Sequence, residues 1–257
     1  MMNINSNGKI DKSPEKIAGM FDRIAPRYDF LNHLLSVGVD RYWRRRTVRE
    51  LRTRLITLPT HSLPPMLPIL DVATGTGDLA IALFRGLRKA SHDEISVTGV
   101  DFSEEMLRRA QIKAERLGLS RFLSFQRADG LALPFPDNSF AAVTIAFGLR
   151  NMADTDRGIA EMTRVCANGG IVAILEFSMP SLPVLSSLYK FYFQTMLPRI
   201  GRLFSRRSDT AYAYLPASVA DFDRIPAMKT RLAHAGLTEI EAFPLTFGVA
   251  ALYLGRK

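Results

Sequence analysis

A single cysteine, Cys166, in 257 residues excludes an internal disulfide and makes a reducing cytoplasm the expected compartment. Histidine is also scarce. The four present have no paired spacing, so no metal site is expected. No apolar run approaches the ~20 residues of a membrane-spanning helix, which leaves only peripheral contact with a bilayer. The stretch Met1 to Gly8 is polar, and no signal peptide is expected there. Internal repeats and low-complexity tracts are missing. Acids are the minority charge: 25 Asp and Glu against 34 Lys and Arg give +9, which favours anionic partners such as nucleic acid, acidic lipid or phosphate. The remainder, 47% hydrophobic and 23% charged, is ordinary globular composition.

Patterning divides the chain unevenly. Residues 1–15 are polar and expected to be flexible, and 16–257 to form one domain. From Ile17 to Leu58 apolar residues recur at three- and four-residue steps, predicting a helical N-terminal cap over 16–58. A break rich in proline follows, at Pro59, Pro64, Pro65 and Pro68. Strands are then predicted at Ile69–Ala73, Ile95–Val100, Phe122–Gln126, Ala141–Ala146 and Ile171–Phe177, mostly apolar throughout, as in a buried parallel sheet. Helices are predicted at Leu79–Arg88, Glu104–Leu117 and Thr155–Cys166 between them. This alternation predicts a doubly wound α/β fold. Residues 180–218 break the rhythm and read as an insertion on the substrate side. Glu239–Pro244 and Gly248–Leu254 read as a closing antiparallel hairpin.

The first strand runs into Asp71-Val72-Ala73-Thr74-Gly75-Thr76-Gly77-Asp78. Gly75 and Gly77 allow a sharp turn and close approach to a ligand just before a helix N-terminus. With Ala80 the loop also fits the relaxed dinucleotide fingerprint, so NAD competes as a ligand. Asp78 argues against NAD, because a carboxylate there repels a pyrophosphate. A cationic ligand turns Asp71 and Asp78 into assets, and S-adenosylmethionine, with an ammonium and a sulfonium, is such a ligand. Asp101 ends the second strand 24 residues after Gly77, close to the offset at which an acid binds ribose hydroxyls. Ser103 is a candidate helix cap. Asp129-Gly130 follows the third strand, where a carboxylate can accept from the adenine amino group or simply make an Asp-Gly turn.

These residues resemble the class I methyltransferases, and further motifs narrow the resemblance. Phe21-Asp22-Arg23-Ile24-Ala25-Pro26-Arg27-Tyr28-Asp29, Leu133-Pro134-Phe135 with Asp137-Asn138-Ser139-Phe140, and Phe147-Gly148-Leu149-Arg150-Asn151 are similar to the ubiquinone/menaquinone biosynthesis C-methyltransferases. So are Leu175-Glu176-Phe177 and Tyr212-Ala213-Tyr214-Leu215-Pro216, and the likeness spans roughly residues 17–257. It implies a Rossmann-like sheet with S-adenosylmethionine as cofactor. Thr76, Asp101, Asp129 and Gly130 fall at cofactor-binding positions. The substrate class it implies is a polyprenyl quinol. The glycine loop looks more like members of the menaquinone pathway, while a ubiquinone precursor is the alternative. Two positions depart from the pattern: Ala146, where some relatives carry serine, and Ala73, where methyltransferases often have glycine.

For C-methylation of a hydroquinone, the ring carbon becomes nucleophilic when a hydroxyl loses its proton. Arg150, past the fourth strand, is the candidate catalytic residue, its guanidinium holding the phenolate directly or through water. The competing structural role is an ion pair with Asp154. Tyr28, Asn151 and Tyr212 are the candidate substrate-binding residues. Tyr28, Asp29, His33 and a water held by Arg150 with Asn151 stay open as general base. Aromatics on either side of the sheet pattern, Phe21, Phe30, Tyr189 and Tyr214 among them, suit an apolar quinone pocket or ordinary packing. Arg41–Arg54 holds seven arginines and one glutamate, which reads as a solvated face or as contact with an anionic membrane on its inner, cytoplasmic side. A nucleic-acid methyltransferase is disfavoured, since the place after the fourth strand lacks an Asn/Asp-Pro-Pro-aromatic loop, Cys166 reads as a helix residue, and no appended RNA-binding module is present. A non-catalytic cofactor-binding subunit is a further alternative. Oligomeric state is not legible.

Overall fold

Strands that are apolar on both faces need a helix layer on each side. The computed structural model, which describes residues 12–25, 36, 38–56, 67–88, 95–180, 214 and 217–257, has this arrangement. The strands are β1 (Ile69–Val72), β2 (Val97–Asp101), β3 (Leu123–Arg127), β4 (Phe140–Ala146), β5 (Cys166–Phe177), β6 (Thr238–Leu245) and β7 (Ala250–Arg256). The helices are α1 (Pro14–Ile24), α2 (Val39–Ile56), α3 (Asp78–Leu87), α4 (Glu104–Arg116), α5 (Thr155–Val165) and α6 (Ile225–His234). The seven strands form one sheet in the order β3-β2-β1-β4-β5-β7-β6. Pairing is parallel from β3 through β5, and β7 runs antiparallel between β5 and β6. The expected doubly wound sheet with an antiparallel terminal hairpin is therefore present. The order in which successive strands are added reverses between β1 and β4, and in open α/β sheets ligands bind at the carboxyl ends of strands beside such a switch.

Two apolar layers hold the sheet. On one face Trp43, Val48 and Leu51 of α2 pack with Leu79, Leu83 and Phe84 of α3. On the other, Ile159 and Met162 of α5 join Met228 and Leu232 of α6. Several boundaries differ from expectation. β1 stops at Val72 because Ala73 turns the chain with φ +50°. β5 begins at Cys166, which pairs with Phe140. Cys166 is thus a strand residue and not the end of α5. It is buried, and burial pushes its thiol up to about 12, which makes it an inert core group. Within 16–58, the range expected to form a cap, the described residues form α1 and α2, and 26–35, 37, 57 and 58 lie outside them. Most of 180–218 lies outside them too, so the proposed insertion is not described.

Gly86 explains how closely α2 approaches α3. A Cβ at that position would lie 2.2 Å from Cγ1 of Val48. Gly86→Ala is therefore expected to destabilise the protein by about 1–3 kcal/mol through overpacking, despite alanine's better helix propensity. Val48→Ala in the same chain should recover part of that loss. Denaturant titration of the single and double variants checks this, and additive losses would place the strain elsewhere.

Candidate active site

A cleft opens at the carboxyl ends of β1, β2 and β4. It is walled by Ile17 and Phe21 of α1, Val72 at the end of β1 and Gly75 after it, Asp101 to Ser103, Ala128 to Leu131, and Ala146 to Met152 except Leu149 and Arg150. Each wall has a local cause. Gly77 adopts φ +80° as the N-cap of α3, and a Cβ there would lie 3.1 Å from both Ala110 and the Phe125 ring. A left-handed residue with no room suits glycine alone. The loop is tied down where the Thr74 amide donates to Val100 O at 2.9 Å.

Asp101 is the most constrained group facing the cleft. The amides of Gly75 and Ser103 donate to its two carboxylate oxygens at 2.8 and 2.9 Å. Burial raises its carboxyl above the usual range, and these amides oppose the shift. Ser103 caps α4, accepting from the Met106 amide at 3.1 Å, and its hydroxyl donates to Asp22 of α1. Helix α1 is thereby drawn over the cleft. Asp129 makes the Asp-Gly turn through Oδ1, which accepts from the Leu131 amide at 2.8 Å. Its Oδ2 has no partner among the described residues, so the turn and a ligand contact are compatible. Gly130 lines the cleft beside it.

Other predicted ligand-binding residues stand back from the cleft. Asp71 is buried, and its two oxygens accept from Thr74 Oγ1 at 2.7 Å and Thr144 Oγ1 at 2.8 Å. It braces the loop and is not a cleft-lining acid. Thr76 is buried as well, accepting from Lys113 Nζ at 3.1 Å. Asp78 pairs with Lys113 at 2.7 Å and Arg44 at 3.4 Å, facing the groove between α2 and α3. The expectation that Asp78 meets a cationic ligand is therefore corrected, because its charge is already neutralised by the protein.

Arg150 is also not placed as expected. It sits in a 3-10 turn, Leu149–Asn151, at 5% exposure, one layer behind the cleft wall. Its Nη1 donates to Glu176 Oε1 at 2.8 Å and to Phe147 O, and its amide donates to Glu176 Oε2 at 3.2 Å. The ion-pair partner is Glu176 of β5, fully buried; Asp154 instead caps α5. Nε of Arg150 is buried without a partner. The turn also fixes Asn151, whose Nδ2 donates to Phe147 O at 3.3 Å and whose Oδ1 accepts from Tyr214 Oη at 3.0 Å. Phe147 itself has φ +58°, an unfavourable conformation for a bulky residue that this network holds in place. Glu176 had no role in the sequence analysis, although a lone acid inside Ile171–Phe177 was its signal. Tyr28, Tyr212, Asp29 and His33 lie outside the described residues. Among the described residues no His, Cys, Asp and Glu grouping suits a metal ion.

Burial pushes Asp71 up to about 6, chiefly by desolvation against the two threonine hydrogen bonds. The unfolded value is about 3.9. Because the folded state binds this proton more tightly, stability is lost as pH rises from about 4 to 6, by about 2–3 kcal/mol for this group. Asp71→Asn removes the titration. The stability of parent minus variant should therefore fall between pH 4 and 7, as read from urea midpoints. A difference independent of pH would overturn the assignment.

Residues 9–257 match the ubiE/COQ5 methyltransferase family. The chain is 44% identical to a ubiquinone/menaquinone biosynthesis C-methyltransferase of Geotalea uraniireducens, over 97% of this chain and 99% of that one. It is 46% identical to a demethylmenaquinone methyltransferase of Thermus thermophilus (93% and 100%) and 38% identical to one of Bacteroides fragilis (96% and 94%). Among solved structures it resembles a SAM-dependent methyltransferase from Aquifex aeolicus, with TM-score 0.55, 16% identity and coverage of 96% and 98%. The CurJ carbon methyltransferase has TM-score 0.62 and 14% identity over 95% of this chain and 67% of that one. At such identities the structural likeness shows the fold alone. Through its near full-length match and its curated relatives, the chain belongs to the ubiE/COQ5 methyltransferase family.

Proposed function

We propose that this protein uses S-adenosylmethionine to methylate a ring carbon of a polyprenyl hydroquinone, converting demethylmenaquinol to menaquinol. The observation that carries the reading is Asp101, held by two amides at the end of β2 with its carboxylate facing the cleft. Together with the open oxygen of Asp129, it forms an acceptor set suited to ribose hydroxyls and an adenine amino group. Apolar Val100, Phe102 and Met106 supply the neighbouring wall. Bound there, S-adenosylmethionine supplies an electrophilic methyl group on a sulfonium. Asp71 and Thr76 act behind this surface by shaping the loop.

On the substrate side, Asn151, braced by Tyr214 and Phe147 O, offers a fixed polar contact beside the aromatic ring of Phe147. Arg150 acts from the layer behind. Its pairing with Glu176 makes the couple net neutral, so its contribution is an oriented donor edge rather than a free charge. Through its bond to Phe147 O, that edge holds the turn that presents Asn151 to the cleft. The menaquinone substrate is supported by the names of the Thermus and Bacteroides relatives. The Geotalea name covers the ubiquinone pathway too, and that is the second reading. We place the protein in the cytoplasm, with the arginines of α2 making peripheral contact with the anionic inner face of the membrane.

Purified protein with S-adenosylmethionine should methylate a demethylmenaquinol, and product analysis beside a ubiquinone precursor decides between the two substrates. No turnover on either, with cofactor bound, would leave a non-catalytic binding protein. Arg150→Ala should unfold more easily by about 3–5 kcal/mol, because it strands a buried carboxylate. Arg150→Lys keeps the charge, and its turnover should still drop by roughly 10²-fold, as for loss of one aligned donor. Near-normal turnover in Arg150→Lys would reduce Arg150 to a structural ion pair.

A further inference from the structure

Three large apolar side chains are well exposed among the described residues: Phe247 at 75%, Tyr42 at 50% and Leu117 at 42%. Two of them lie near one joint, where α2 meets the turn between β6 and β7. Phe247 lies in the 3-10 turn Thr246–Gly248 that joins β6 to β7, and the indole of Trp43, next to Tyr42, donates to Thr246 Oγ1 at 2.8 Å. The turn is strained, since Thr246 has φ +47° and Phe247 φ +57°, a region that costs bulky and β-branched residues. It is held by that indole bond and by the Ser178 amide donating to Val249 O at 3.0 Å. The fold thus tolerates backbone strain to keep an aromatic ring in water.

This corner adjoins both the arginine groove and the cleft. The groove between α2 and α3 is lined by seven arginines and one acid, Asp78. Arg44 is paired with Asp40 and Asp78, but Arg41, Arg45, Arg52 and Arg85 carry no ion pair among the described residues. Toward the cleft, Trp43 packs tilted against Phe147 with ring centroids 5.8 Å apart, and Phe147 tilted against Phe177 at 4.6 Å. Phe147 also lines the cleft. Because Ala250 pairs with Phe177, the turn lies at the carboxyl edge of β5, the edge on which the cleft opens.

We infer that Phe247 and Tyr42, flanked by the free arginines, form a docking face for an acidic lipid bilayer, with Phe247 inserted at the headgroup boundary. This deepens the peripheral membrane contact proposed above and rests on that reading. Unpaired guanidinium groups match anionic headgroups, and aromatic rings at the same corner match the apolar boundary beneath them. A polyanion alone would satisfy the arginines and leave Phe247 unexplained. Docked this way, the protein turns the edge carrying the cleft to the membrane.

The test is co-sedimentation of the full chain with vesicles of phosphatidylglycerol and phosphatidylcholine, compared with phosphatidylcholine alone. Phe247→Gly relieves the left-handed strain, so its thermal midpoint should rise while its partition onto acidic vesicles falls about tenfold, as for loss of one buried aromatic side chain. Arg41, Arg45, Arg52 and Arg85 all changed to Gln should abolish binding at low salt with little change in midpoint. If only the arginine variant loses binding, the electrostatic contact survives and the aromatic anchor is overturned. If both bind like the parent, the membrane reading itself fails. If Phe247→Gly instead converts a dimer to a monomer in sedimentation velocity without altering vesicle binding, the face belongs to a second copy of the chain and the inference is wrong.

Discussion

A single buried carboxylate, Glu176, ties the end of β5 to the turn after β4. Its oxygens accept from the Arg150 side chain, the Arg150 amide and the Phe177 amide. A carboxylate at zero exposure is tolerable only when its hydrogen-bonding capacity is met this fully. From it the connections run outward: Arg150 to Phe147 O, Phe147 O to Asn151, and Asn151 to Tyr214. The wall of the cleft formed by the turn after β4 is therefore held in place because a charge was buried behind it. The wall formed by the ends of β1 to β3 has a similar build, with Asp71 bracing the loop from within while Asp101 and Asp129 face the cleft. In both halves one acid supports from behind what another group presents.

The sheet was legible because its central strands β1 and β4 are short apolar runs and β1 to β3 are followed by acids or turn residues. The cap at Ser103 was legible because capping is local, spanning only three residues to Met106. Orientation was harder. Asp71, Asp78 and Asp101 look equivalent along the chain, yet one is bonded by threonines, one paired with cations, and one presented to the cleft. What separates them is the company brought by residues far away, such as Thr144 and Lys113. The same holds for Arg150. Asp154 was the near candidate by sequence, but the partner lies 26 positions on, in a neighbouring parallel strand. Cys166 looked helical because α5 runs up to it, and only pairing with Phe140 shows where the strand starts.

The departure at Ala73 also has a physical reading. The residue sits at φ +50°, where glycine would be relaxed and alanine is strained. That strain is confined to the turn that places Gly75 against Asp101. The loop is thus held in shape by Thr74, Asp71 and Thr144 more than by its own preference.

The position of β7 has a consequence for how the chain assembles. β6 touches the sheet only through β7, yet β6 comes first in sequence. As the polypeptide is synthesised, β6 emerges with no edge to join, while β5 waits with its outer edge open. One late strand closes both at once. Until then two unpaired edges are open to pairing with other chains, an aggregation risk that β7 removes. Cooperativity in the finished sheet is obtained by postponing its closure.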